Sequence, residues 1–304
     1  MVKFDDYLHC SAKTHYVNEI GRRKLAQLDQ LPAQFLTLHD KIASTVTSCI
    51  EFDLQAHTDD IDVKPWHSNL GIFPYLPCGM DYPKSKTTNE PLQFLAQINF
   101  AEMPKLADFP EQGVVQFYLN MKQMDLGVDE DLEHVQINHR VVYCADVIES
   151  LDHLQDTDTL KALSDMDEDE TELWVTPSRW VNVSAVEQYI TFFDYRFAPL
   201  LFGREEVAVS ANHEDLIEAY EQYQIPYTEQ FQIEGGHRIG GYANYLHATD
   251  NRTRMGIEDY LLLLQLDTDD GLEWCDGGIA QWYIHPDDLK HRDFSKVVFL
   301  WACH

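Results

Sequence analysis

Apolar residues recur along this chain in short strand-length runs, in alternation with period two and at helical spacing, and several of the strand-like stretches come in matched pairs. Gly113-Val114-Val115-Gln116-Phe117-Tyr118-Leu119 is answered by Gly278-Ile279-Ala280-Gln281-Trp282-Tyr283-Ile284, with a glutamine at the same place. In the same order, Phe94-Leu95-Ala96-Gln97-Ile98-Asn99 is answered by Leu262-Leu263-Leu264-Gln265-Leu266-Asp267, and Arg140-Val141-Val142-Tyr143 by Lys296-Val297-Val298-Phe299. Leu70-Gly71-Ile72-Phe73 pairs with Ile239-Gly240-Gly241-Tyr242. The spacing between matched positions shrinks steadily along the chain, as it does when a second copy has shorter loops. This predicts one domain over 1–304 with internal repeats at 66–146 and 236–304, joined by an acidic and helical segment, 147–235.

Strands are expected at 49–54, 92–100, 114–119, 135–143, 260–266 and 296–301, with an extended stretch at 69–77, where Pro74 and Pro77 exclude a helix. Helical spacing predicts helices over 18–31 and 34–46, broken at Pro32, and a surface helix at 149–163. Ser184-Ala185-Val186-Glu187 reads as a capping box opening a helix toward Pro199, and Asn212 as the cap of a helix over 213–224 that Pro226 closes. Asp269-Asp270-Gly271 supplies a turn. The expected fold is α+β: internally duplicated, mostly antiparallel β units packed together, with helices at the N-terminus and between the repeats.

Composition narrows the partners. Twenty-two basic residues against 52 acidic give a formal charge of −30. Nucleic acid is thereby disfavoured, because binding it requires lysine and arginine to displace condensed counterions. Eleven acids and one base, Lys161, fall within 146–172, and 165–170 is expected to be a solvated loop. No apolar run approaches the ~18 residues of a membrane helix and the first residues turn acidic, so a cytoplasmic location and no membrane partner are expected. The six scattered cysteines form no C-x-x-C pair, so reduced thiols are expected.

The string Pro91-Leu92-Gln93-Phe94-Leu95-Ala96-Gln97-Ile98-Asn99, the Gly-Val-Val-Gln-Phe-Tyr strand, the Ile239-Gly240-Gly241-Tyr242 turn, Trp274-Cys275-Asp276-Gly277-Gly278 and Asp293-Phe294-Ser295-Lys296-Val297-Val298 together resemble the YwqG-like family, DUF1963. The resemblance implies a bacterial cytosolic α+β protein built of related β units, and it carries over no catalytic residue. The chain departs from the pattern at Ile72, at Asp81-Tyr82-Pro83 and at Cys275.

Candidate chemistry is sparse. Phosphate-loop, dinucleotide, nucleophile-elbow, zinc-helix and EF-hand patterns do not occur, so no catalytic residue, metal or cofactor is expected. His285, Asp287, Asp288 and His291, and Cys303-His304, come nearest to a metal cluster. Gln97 and Gln265 stand in apolar strands, where each amide must find partners: they bond each other or nearby backbone, or they line a polar pocket between the copies. Trp274 and Asp276 form either a hairpin turn or a recognition loop. Two function classes follow. One is a non-catalytic cytosolic protein offering an acidic surface to a basic protein partner, in the manner of an immunity protein. The other is a small-ligand-binding protein or enzyme with a pocket between the repeats near Gln97, Gln265, Trp274 and Asp276.

Overall fold

Ten strands form one antiparallel sheet whose order places the two sets of matched strands on opposite flanks of a central pair. A computed structural model describes residues 28, 31–58, 60, 62–164, 171–203, 220–231, 235–246 and 250–304. Its strands are β1 (Thr47–Ala56), β2 (Asn69–Leu70), β3 (Gln93–Asn99), β4 (Val114–Leu119), β5 (His139–Cys144), β6 (Leu173–Val175), β7 (Ser178–Gln188), β8 (His237–Gly240), β9 (Leu261–Asp267), β10 (Leu272–Trp274), β11 (Ile279–Ile284) and β12 (Val298–Ala302). The sheet runs β12-β11-β9-β8-β1-β7-β2-β3-β4-β5, and β6 pairs with β10 in a separate ribbon. The fold is therefore α+β, dominated by antiparallel sheet. We call β2-β3-β4-β5 the first wing and β8-β9-β11-β12 the second.

The wings fold over onto each other. In a flat sheet the seven steps from β11 to β4 would span about 34 Å at ~4.8 Å per step. Phe117 of β4 and Trp282 of β11 instead meet edge to face with ring centroids 5.1 Å apart. One apolar cluster runs through both wings and the central pair, joining Ile50, Phe52, Ile98, Phe117, Leu264, Trp282 and Phe299. At the rims, Asp129 exchanges hydrogen bonds with the backbone of Phe299, and Gln136 donates to the Phe294 carbonyl.

Several expectations need correction. Residues 184–187 do not cap a helix: they lie in β7, which pairs with β1 from Ser178 to Gln188 and with β2 through Ser178 and Arg179. At 184–187 the ladder to β1 satisfies more backbone than one cap would, and Val181, Val183 and Val186 favour the extended form. Pro226 does not close a helix either. A π-type turn over Tyr220–Gln224 runs directly into α4 (Ile225–Phe231), so the chain stays helical through Pro226, and the π turn before it is the local irregularity that accommodates a proline. The stretch expected as a helix over 34–46 is a 3₁₀ helix, Ala33–Leu38, followed by α1 (His39–Ala43). In 149–163 only a short turn and α2 (Thr157–Ser164) are helical, and α3 (Phe197–Phe202) precedes Gly203. Two further helices are α5 (Asn251–Met255) and α6 (Pro286–His291). The expected helix at 18–31, except Leu28 and Leu31, the acidic loop 165–170, positions 213–219 and Cys10 lie outside the described residues.

The sequence match of Val141 with Val297 is displaced by two residues. Gln116 faces Val142 across β4–β5, and Gln281 faces Leu300 across β11–β12, so Val142 and Leu300 occupy corresponding places. A two-residue slip keeps side chains on the same face, which is why the apolar pattern concealed it.

Candidate functional site

The four residues expected to line a pocket are not gathered into one site. Gln97 and Gln265 are both fully buried, in β3 and β9, five strand positions apart in the sheet. Each amide is engaged within its own wing. Gln97 Oε1 accepts from Tyr75 N at 2.7 Å and from Gln116 Nε2 at 3.0 Å, and its Nε2 donates to the His67 carbonyl at 2.6 Å. Gln265 Oε1 accepts from Asn244 N at 2.8 Å and from Gln281 Nε2 at 3.4 Å, and its Nε2 donates to the Gly236 carbonyl at 2.9 Å. Gln116 and Gln281 also donate to the carbonyls of Tyr75 and Asn244. Trp274 is fully buried in the shared core. Asp276 is exposed in the turn after β10, where Cys275 and Gly277 take positive φ and the Asp276 carbonyl accepts from His304 N. His285 is the N-cap of α6, its Nδ1 accepting from Asp287 N. Among the described residues no group of three or more metal-ligating side chains comes together.

The bond pattern repeats at the strands that open each wing. Asn69 Nδ2 of β2 donates to the Phe73 carbonyl, and Arg238 Nη1 of β8 donates to the Tyr242 carbonyl, both at 3.1 Å. Asn99 N donates to Ser68 Oγ at 2.9 Å, and Asp267 N donates to His237 Nδ1 at 3.1 Å. Ser68 therefore stands in the first wing where His237 stands in the second.

That difference in side-chain size coincides with a cleft. In the second wing the His237 imidazole fills its place. It stacks on Phe52, its ladder partner, with centroids 5.5 Å apart, and its Nε2 lies 2.9 Å from Asp269 Oδ2. Burial works to raise the Asp269 carboxyl, but the hydrogen bond and charge of His237 outweigh it and hold it below its ordinary range. In the first wing the small Ser68 leaves room, and a cleft of about 350 Å³ opens, lined by His67, Ser68, Glu102, Arg179, Trp180 and Met103 among others.

The polar groups of the cleft are few and fixed. Glu102 accepts from Ser68 N at 2.7 Å through Oε2, while its Oε1 lies 4.0 Å from His67 Nε2. Because His67 Nδ1 accepts from Lys64 N at 3.2 Å, the proton of the neutral ring is on Nε2, facing Glu102. Arg179 Nη2 donates to Gln55 Oε1, whereas its Nε is buried without a partner. Trp180 stacks flat on Phe52, with centroids 3.8 Å apart and planes within 5°. The arrangement provides a carboxylate acceptor, a guanidinium with unused hydrogen-bonding capacity and an aromatic wall. The Ser68 hydroxyl is taken up as the acceptor of Asn99 N. Sequence reasoning passed over these residues because they are scattered from Asp62 to Val183 and match no motif; the unequal Ser68 and His237 at matched positions were the available signal.

The family model described as a domain of unknown function, DUF1963, matches residues 68–303. The chain belongs to that family. The match takes in both wings and most of the cleft, and Asp62, Val63 and His67 precede it. No curated protein matches the chain. Nor does any helix of this DUF1963 protein, among the described residues, have the length and apolar character to cross a membrane.

Proposed function

We propose that this DUF1963 protein is a non-catalytic cytosolic binding protein whose ligand is a small molecule held in the cleft between β7 and the residues preceding β2. The observation that supports this is the cleft itself. Its size falls in the ~300–1,000 Å³ range of small-molecule sites, and it combines apolar walls with a few polar side chains, among them the Glu102 carboxylate and the Arg179 guanidinium. We also read the wings as two copies of one unit, a reading supported by the recurrence of the glutamine pairs and of the Asn99–Ser68 and Asp267–His237 bonds. On this reading one copy keeps its slot open and the other has closed it with its own side chain.

A ligand-observed NMR screen of a small-molecule library against wild type and Ser68→His tests the proposal. The substitution places in the first wing the side chain that the second already carries, so the fold is expected to survive, and melting curves check this. Ligands whose signals change with wild type and not with Ser68→His are expected. Equal responses from both proteins, or from neither, would remove the cleft as the site.

The formal charge of −30 favours a second reading, an acidic surface that attracts a basic protein. Pull-downs from lysate at low and moderate salt are then expected to recover a basic protein whose retention falls as salt rises. Recovery of none at either salt counts against it.

A further inference from the structure

The rings at the centre of the sheet form a stack that stops at the cleft. His237 lies on Phe52 with planes 23° apart and centroids at 5.5 Å, and Phe52 lies on Trp180 with planes 5° apart and centroids at 3.8 Å. Two near-parallel rings this close cannot share one face of Phe52, so Phe52 is held between them. Trp180 is the last ring of the stack and a wall of the cleft, with one face covered by Phe52. The ladders place the components equivalently. Phe52 pairs with His237, and Arg179 pairs with Asn69, which sets Ser68 beside the position opposite Trp180. The place next to Trp180 in the first wing thus corresponds to the place that an imidazole fills in the second.

We propose that the ligand of the cleft is a planar nitrogen heterocycle that continues this stack on Trp180, a proposal that rests on the cleft being the binding site. Chemistry at the rim matches such a ring. The Glu102 carboxylate would accept a ring or exocyclic N–H, as Asp269 does from His237. The Arg179 guanidinium would donate to a ring nitrogen or carbonyl oxygen. Stacking on an aromatic side chain serves any ring with a π face, and the polar partners restrict the choice to rings bearing both a donor and an acceptor. Asp62 and Glu102 in the lining, within a molecule of charge −30, set the field against a phosphate. Free bases and nucleosides therefore fit better than nucleotides.

The probes are adenine, cytosine, adenosine and imidazole, with leucine and inorganic phosphate as contrasts, titrated into the full chain and followed by calorimetry and by the Trp180 indole N–H resonance. At least one heterocycle is expected to bind and to shift that resonance. Binding is expected to vanish in both Ser68→His and Met103→Trp, two variants that fill the cleft, and to weaken about tenfold in Arg179→Gln, the scale of one lost charged hydrogen bond. If leucine or phosphate binds, is displaced by the filling variants, and no heterocycle binds, the heterocycle class falls while the cleft remains the site. Heterocycle binding left unchanged by both filling variants overturns the proposal together with the site. Failure of all four heterocycles to bind overturns the proposal, leaving the site to be judged by the library screen.

Discussion

Gln97 and Gln265 are amides in places closed to water, and each ties a loop to its wing rather than to a ligand. Replacing either by leucine removes the acceptor of one buried backbone N–H, of Tyr75 or of Asn244, and also a donor to a carbonyl. A loss of about 2–3 kcal/mol is expected for each, read from denaturant midpoints, because orphaned buried groups cost ~1–3 kcal/mol apiece. A second residue-scale prediction concerns Asp194, which is buried between Arg196 and Arg252 with guanidinium nitrogens at 2.7 Å from both. Burial acts to raise its carboxyl, but the hydrogen bond from Arg196 and the charge of Arg252 outweigh it and set the group below its ordinary value. Its stabilisation is therefore fully present above the unfolded value of about 3.9 and is lost as pH falls through the lower folded value. Asp194→Asn is expected to lower the melting temperature at neutral pH, by a loss of about 3–5 kcal/mol. The melting curves of variant and wild type should converge in acid below that window. A constant gap down to the most acidic pH would show that the carboxylate charge is not what stabilises the site.

At the scale of elements, strands were legible where a short apolar run is buried on both faces. β3, β4 and β9 lie within a residue or two of where those runs put them. β7 was not legible, because its Ser184–Glu187 stretch carries a local helix-start signal that only partners distant in sequence override. Its ladder to β1 reaches across more than a hundred residues, and no window of sequence contains it. The β6–β10 ribbon was missed for a related reason, since three-residue strands give too little alternation to detect. The cleft was illegible as a motif and legible only as a difference between matched positions of the two wings. Matched glutamines drew attention to what the wings share, whereas the opening lies where Ser68 and His237 differ. Trp274 and Asp276 stand two residues apart, yet the first is buried and the second exposed, because the chain passes from strand to turn between them.

At the scale of the molecule, the two wings close on a common core, and Phe117 against Trp282 is the contact that measures it. A double-mutant cycle with Phe117→Leu and Trp282→Leu is expected to give a coupling of about 0.5–1.5 kcal/mol, the range for aromatic pairs in contact. Additive effects within ~0.3 kcal/mol would mean that the wings do not meet through these rings. On the proposed reading the wings are two copies of one unit, and the cleft is the first wing's form of a slot the second has filled. A crystal structure of Ser68→His tests it most directly. The new imidazole is expected to lie on Trp180, its Nδ1 accepting from Asn99 N as His237 accepts from Asp267 N, with the cleft gone. An imidazole turned out to solvent above an open cleft would contradict it.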